Sequence, residues 1–150
     1  MKRLFFILLV FIVAGAAGQT KVENNTEYKS VALDAEDSTF LALKDTAHKH
    51  LDIFLNGLSK NGTDTKNYRF LVKSDFVENG VHEHMWSQAF RYDKDGFKGI
   101  FIDSPFQLKH IKTGDKITIK LDDLEDWSIE DIKNHTTQGY YSEKYLNSKQ

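Results

Sequence analysis

Cysteine is absent from these 150 residues, proline occurs once, at Pro105, and no apolar run is long enough to span a membrane as a helix. Without cysteine there is no disulfide, no thiolate nucleophile and no cysteine ligand for zinc, so stability must come from packing and hydrogen bonds. The longest apolar stretch, Leu4 to Gly18, has 15 residues, short of the roughly 20 that a bilayer-crossing helix needs. One-signed charge is missing too. The 20 basic residues are interleaved with 22 acidic ones, which argues against the clustered basic face of a nucleic-acid binder. No G-x-S-x-G, no phosphate-cradling loop and no D-x-D-x-D-G calcium spacing occurs, and nothing in the chain asks for a cofactor.

What is present divides the chain in three. Lys2 and Arg3 precede the apolar run Leu4 to Val13 and the small residues Ala14 to Gly18, the layout of a cleavable secretory signal. Residues 1–18 are therefore expected to be removed, which predicts a secreted or periplasmic protein with no membrane span after cleavage. A retained N-terminal anchor is the rival reading. Loss of Lys2 and Arg3 takes the basic count from 20 to 18 against 22 acids, and the net charge from −2 to −4. Residues 19–37 are polar and aperiodic, a flexible linker. Residues 38–150 make a single domain, large enough to bury a core of its own.

The periodicities predict an α+β fold, with one N-terminal helix packed on a curved antiparallel sheet of about five strands. Phe40, Ala47, Leu51, Phe54, Leu55 and Leu58 recur at helical spacing from Ser38. Asp37 or Ser38 is suited to cap the start and Gly57 or Gly62 to end it in a left-handed conformation. From Tyr68 to Leu121 the apolar period becomes two, and three turns punctuate it. Asn79-Gly80 predicts a tight hairpin pairing Val77 with His82, Asp75 with His84 and Lys73 with Trp86. Asp95-Gly96 sets Phe90 against Phe101 and Tyr92 against Gly99. Thr113-Gly114 puts Phe106, Leu108, His110, Ile117, Ile119 and Leu121 on one side of a third hairpin.

With those residues in view the chain resembles the domain of unknown function 2314, or YegJ-like, family. The resemblance rests on Glu83-His84-Met85-Trp86, Gly96-Phe97 with Gly99, Pro105-Phe106, Leu108 to Ile111 followed by Lys112-Thr113-Gly114-Asp115, and Asp122-Asp123 with Asp126-Trp127. It spans roughly Ser38 to Tyr141. At the end, Gln138-Gly139-Tyr140-Tyr141 stands where the family tends to have Gly-Gly-aromatic-Thr. The resemblance implies a small exported or envelope α+β domain and supplies no activity.

Two classes of function fit these residues. The first is a non-catalytic module that binds a protein or peptide through a surface including His84 and Trp86, with Asp126 and Trp127 as further binding candidates. The second is a metal-assisted or carboxylate-dependent hydrolase. Residues two apart on a strand share a face, so His82 and His84 can approach one ion with Asp75 across the hairpin as an oxygen ligand. Against that stands the spacing, which matches no established zinc motif. Asp122, Asp123, Glu125 and Asp126 read as a solvated acidic turn, with Asp126 suited to cap a turn after it. His48 and His50 point in different directions and read as surface residues.

Overall fold

The structure is a computed structural model that describes residues 37–148. The expected export signal and all of the expected linker but Asp37 lie outside the described residues. Two helices come first, α1 (Ser38–Lys49) and α2 (Leu51–Asn61). Four strands follow, β1 (Tyr68–Glu78), β2 (Val81–Asp93), β3 (Gly96–Phe101) and β4 (Lys116–Ile119), then β5 (Leu124–Asp131), β6 (Thr136–Gly139) and a last helix, α3 (Tyr141–Ser148). The strands form one antiparallel sheet of six in the order β4-β3-β2-β1-β5-β6. Among the described residues the expected single helix and roughly five strands become three helices and six strands, within the predicted α+β class.

The predicted helix breaks at His50, which ends α1 and begins α2. At its start the Asp37 carboxylate accepts from the amides of Thr39 and Phe40, as a cap should. At the break, one of the carbonyls freed in the last turn, that of Ala47, accepts the indole N–H of Trp127 at 2.8 Å. Gly62 ends α2 in an ordinary right-handed conformation, φ −60°, not a left-handed one. The apolar stripe holds through the break: Ala47, Leu51, Phe54 and Leu58 are buried with Phe70, Val72, Phe97, Leu124 and Trp127. Phe54 touches the rings of Phe70, Phe97 and Trp127 at centroid distances of 5.6 to 5.8 Å, where each pair adds about 0.5–1.5 kcal/mol beyond area burial.

The sheet has to curl. β4 and β5 are four strand spacings apart, about 19 Å if flat. From Ile119 to Leu124 is only five residue steps, about 17 Å at full extension, and the 3-10 turn at Leu121–Asp123 shortens that further. Curling brings Ile119 and Leu124 into one core beneath the helices.

The first hairpin has the predicted register, with Asp75 opposite His84 and Lys73 opposite Trp86. Asn79 and Gly80 take φ of 52° and 79°. The second differs. Asp93 pairs with Gly96 and Tyr92 with Phe97, and a bulge at Phe90 then sets Ala89 against Gly99. The reason is local: the Asp93 carboxylate accepts the Asp95 amide, so Lys94 and Asp95 form the turn centre and Gly96 takes the positive φ.

The third hairpin does not form. Thr113 and Gly114 do turn, with the Asp115 amide on the Lys112 carbonyl, but Phe106 to Ile111 are loop and β4 pairs with β3 instead. Leu108 packs with Met85 and Phe101, away from Ile119, and Phe106 is 74% exposed. Side-chain carboxylates replace the missing ladder. Glu83 accepts from the amides of Phe106, Gln107 and Leu108 at 2.5 to 3.0 Å, and Glu78 from that of Lys109 at 2.7 Å. Glu83→Ala is expected to speed hydrogen exchange at the amides of residues 106–108 selectively and to cost about 1–3 kcal/mol in urea unfolding; unchanged exchange there contradicts this account of the loop.

Candidate functional site

Along β2 the side chains alternate. Met85 and Ala89 enter the core, Glu83 holds the loop, and His82, His84 and Trp86 stand on the other face. There the two histidines take different carboxylates. His82 Nδ1 donates to Asp75 at 2.6 Å and His84 Nδ1 to Glu125 at 2.8 Å. Among the described residues no three His, Asp or Glu side chains converge as metal ligands. His48, read above as a surface residue, contacts the Leu124 carbonyl at 2.8 Å and ties α1 to the start of β5. His50 lies against the Tyr141 ring.

Glu125 owes its position to a register shift. Lys73 pairs with Asp126 and Ser74 with Leu124, so Glu125 is the extra residue of a β-bulge, and a bulge re-aims a side chain. The acidic run is therefore not a solvated turn as a whole: Asp122 and Asp123 are exposed, but Glu125 and Asp126 are buried. Burying Glu125 is tolerable because His84 gives it a charge-assisted hydrogen bond. The same bond raises the His84 pKa above 6.5, with burial opposing and the Asp75 charge assisting. His84 itself remains partly exposed, edge-on to Phe40 of α1 at 6.1 Å, and its Nε2 has no hydrogen-bond partner among the described residues. The site thus presents a fixed imidazole, oriented from below by a buried acid.

Trp86 is held from three sides. It stacks on Tyr140 at 5.4 Å, the Lys73 ammonium lies 5.6 Å from its ring centre, and its amide donates to Asp103 at 2.7 Å. Asp103 does this where β3 has ended, supplying the acceptor that a longer strand would have given. Lys73 is buried and pairs with Glu143 of α3 at 3.2 Å. Burial pushes the Asp103 carboxyl up and the Tyr140 hydroxyl up to about 12. Tyr140 has φ 62°, uncommon for a bulky residue, and is fixed there by its amide on the Trp127 carbonyl and by the Trp86 stack.

Asp126 and Trp127 lie inside the protein. Trp127, 1% exposed, is core. Asp126 is a cap, as its sequence context suggests, but for a helix 16 residues on: it accepts both the amide and the hydroxyl of Ser142 at 2.7 Å. Burial raises its pKa, opposed by those donors and the Trp127 amide. Lys73, Asp103, Tyr140 and Glu143 do not stand out as site residues in the sequence, and Glu125 does so only as a member of the acidic run. The one signal among the first four is Lys73, a charge in the apolar run F-L-V-K-S that the correct register already sets against Trp86.

A raised histidine pKa means that the folded state holds the proton more tightly. Its stabilisation is complete below pH 6.5 and is lost as pH rises through the folded value. Asp103 and Asp126, also raised, make a loss of the same sign starting lower, above pH 3.8. Titration of the His84 ring by NMR is expected to give a pKa above 6.5 that falls in Glu125→Gln, and unfolding midpoints should drop less in that variant as pH is raised past 6.5. An unshifted His84 would contradict the pairing.

A sequence model of a family described as an uncharacterized protein conserved in bacteria (DUF2314) matches residues 38–149. No curated protein and no solved structure matches.

Proposed function

Because the chain belongs to the DUF2314 family of bacterial proteins, whose description names no activity, function has to be argued from the site, and we propose that the domain is an exported, non-catalytic binding module. Its contact surface is the His84/Trp86 face of the sheet. Export rests on the charged, apolar and small-residue layout of residues 1–18, which makes the protein secreted or periplasmic. Among the described residues no helix is long and apolar enough to cross a membrane.

One observation carries the binding role: the partly exposed His84 ring has its Nδ1 fixed by buried Glu125 and its Nε2 unengaged among the described residues. While the ring is protonated its Nε2–H is a pre-oriented donor, which loses little freedom when it meets a partner's carboxylate or carbonyl. Trp86, immobilised beside it by Tyr140 and Lys73, supplies an amphipathic ring of the kind enriched in binding hot spots. Asp126 and Trp127 serve this surface from the interior, by fixing α3 and α1. The hydrolase alternative needs His82, His84 and Asp75 to share one centre. In this fold His84 turns to Glu125 while His82 turns to Asp75.

Capture of partners from the protein's own cell envelope tests this reading. His84→Ala and Trp86→Ala, each checked for an intact fold, are expected to lose the same partner that the wild type retains, and purified wild type is expected to carry no stoichiometric zinc by elemental analysis. Retention by both variants, or stoichiometric zinc that His84→Ala abolishes, would overturn it.

A further inference from the structure

The stretches Glu83 to Trp86 and Pro105 to Lys112 are far apart in sequence, and the fold joins them through Glu83. One carboxylate gathers three consecutive loop amides, at Phe106, Gln107 and Leu108. Further ties act along the same loop. Glu78 takes the Lys109 amide and pairs with His110 at 3.4 Å, the Thr113 hydroxyl donates to the Asp103 carbonyl, and Asp115 takes the Lys112 amide. Leu108 plugs the loop into the core. A segment with no ladder of its own is thus held in one shape.

What that shape presents is specific. Phe106 is 74% exposed, the most exposed large apolar side chain among the described residues. On the same loop and at the start of β4, Lys109, Lys112 and Lys116 are exposed, and none of the three is in an ion pair among the described residues. The acids nearby in sequence or contact are occupied, since Glu83, Glu78 and Asp115 each turn an oxygen onto loop amides. The half-buried carboxylates around the loop are thus turned onto its backbone, while three unpaired ammonium groups and a single aromatic side chain stand out of it.

We propose that residues 105–116 form a second contact surface, in which Phe106 is the anchor for a protein partner whose apolar pocket is rimmed by carboxylates. The surface lies apart from the His84/Trp86 face, because Glu83 and the histidines leave β2 on opposite sides, and it does not rest on the role assigned to that face. A protein pocket suits it better than a membrane. Anionic bilayers are held by clusters of about four to eight basic residues or by an amphipathic helix with a broad apolar face, whereas this loop offers one ring and three lysines. A pocket can enclose one ring completely, and a pre-shaped loop spends little entropy in delivering it.

Selection of phage-displayed random peptides on the full chain tests the surface directly. Enriched peptides are expected to combine an apolar cluster with Asp or Glu, to bind more weakly as salt rises, and to lose about tenfold or more in affinity on Phe106→Ser. Lys109→Glu with Lys112→Glu should weaken them in the same sense, while Phe106→Ser, solvent-exposed, leaves the unfolding midpoint unchanged. Failure to enrich any peptide, enriched peptides without acidic residues, or binding indifferent to Phe106→Ser would each overturn the proposal. So would co-sedimentation with phosphatidylglycerol vesicles that depends on Phe106 in the absence of peptide binding.

Discussion

The tight turn at Asn79-Gly80 is the constraint on which the rest of this structure depends. A two-residue hairpin with positive φ at both centres leaves only one register for the strands it joins. Because side chains alternate along a strand, that register sorts V-H-E-H-M-W into its separate duties. Met85 goes to the core, Glu83 to the loop, and His84 and Trp86 to the opposite face. A slip by one residue would turn two imidazoles and an indole toward the side that buries Met85 and turn the methionine away from it.

The interior is unusual for how much charge it holds. Lys73, Glu125 and Asp126 are all buried, and each has a partner from a distant part of the chain: Glu143, His84 and Ser142. Removing one member of such a pair is costlier than the pair is stabilising, because an uncompensated charge stays behind. These contacts therefore specify where α3 and the bulge of β5 must sit more than they add net stability. β5 is the element that collects them. Its Trp127 reaches the Ala47 carbonyl on one side while Asp126 caps α3 on the other. The surface around His84 and Trp86 inherits its rigidity from this strand.

The parts of the fold legible in the sequence are those decided by local chemistry. Asn79-Gly80 announces its own turn, Asp37 its cap, and the stripe from Ala47 to Leu58 its buried face. The parts that were not legible were decided by groups far away in the chain. Phe106 to Ile111 alternates like a strand, yet its amides are satisfied by Glu83 and Glu78, so no ladder is needed there. The helix breaks at His50 with no proline or glycine to mark it. The D-K-D-G turn is an intermediate case, since the Asp93 side chain shifts the centre by one residue through a bond that composition alone does not rank. At the candidate site, His84 and Trp86 were visible as residues. Glu125, which fixes His84, is 41 positions away and becomes its neighbour only through a bulge.

The central claim is the pairing of β1 with β2, and close Hα–Hα contacts read it directly. Trp86 turns its amide and carbonyl toward Asp103 and Ile102, away from β1. Lys73/Trp86, Asp75/His84 and Val77/His82 are therefore the close, non-hydrogen-bonded pairs of the ladder. Nuclear Overhauser spectra of the domain should show strong Hα–Hα cross-peaks for these three pairs. Cross-peaks displaced by one residue, linking Asp75 to Glu83 or Met85, would contradict the account.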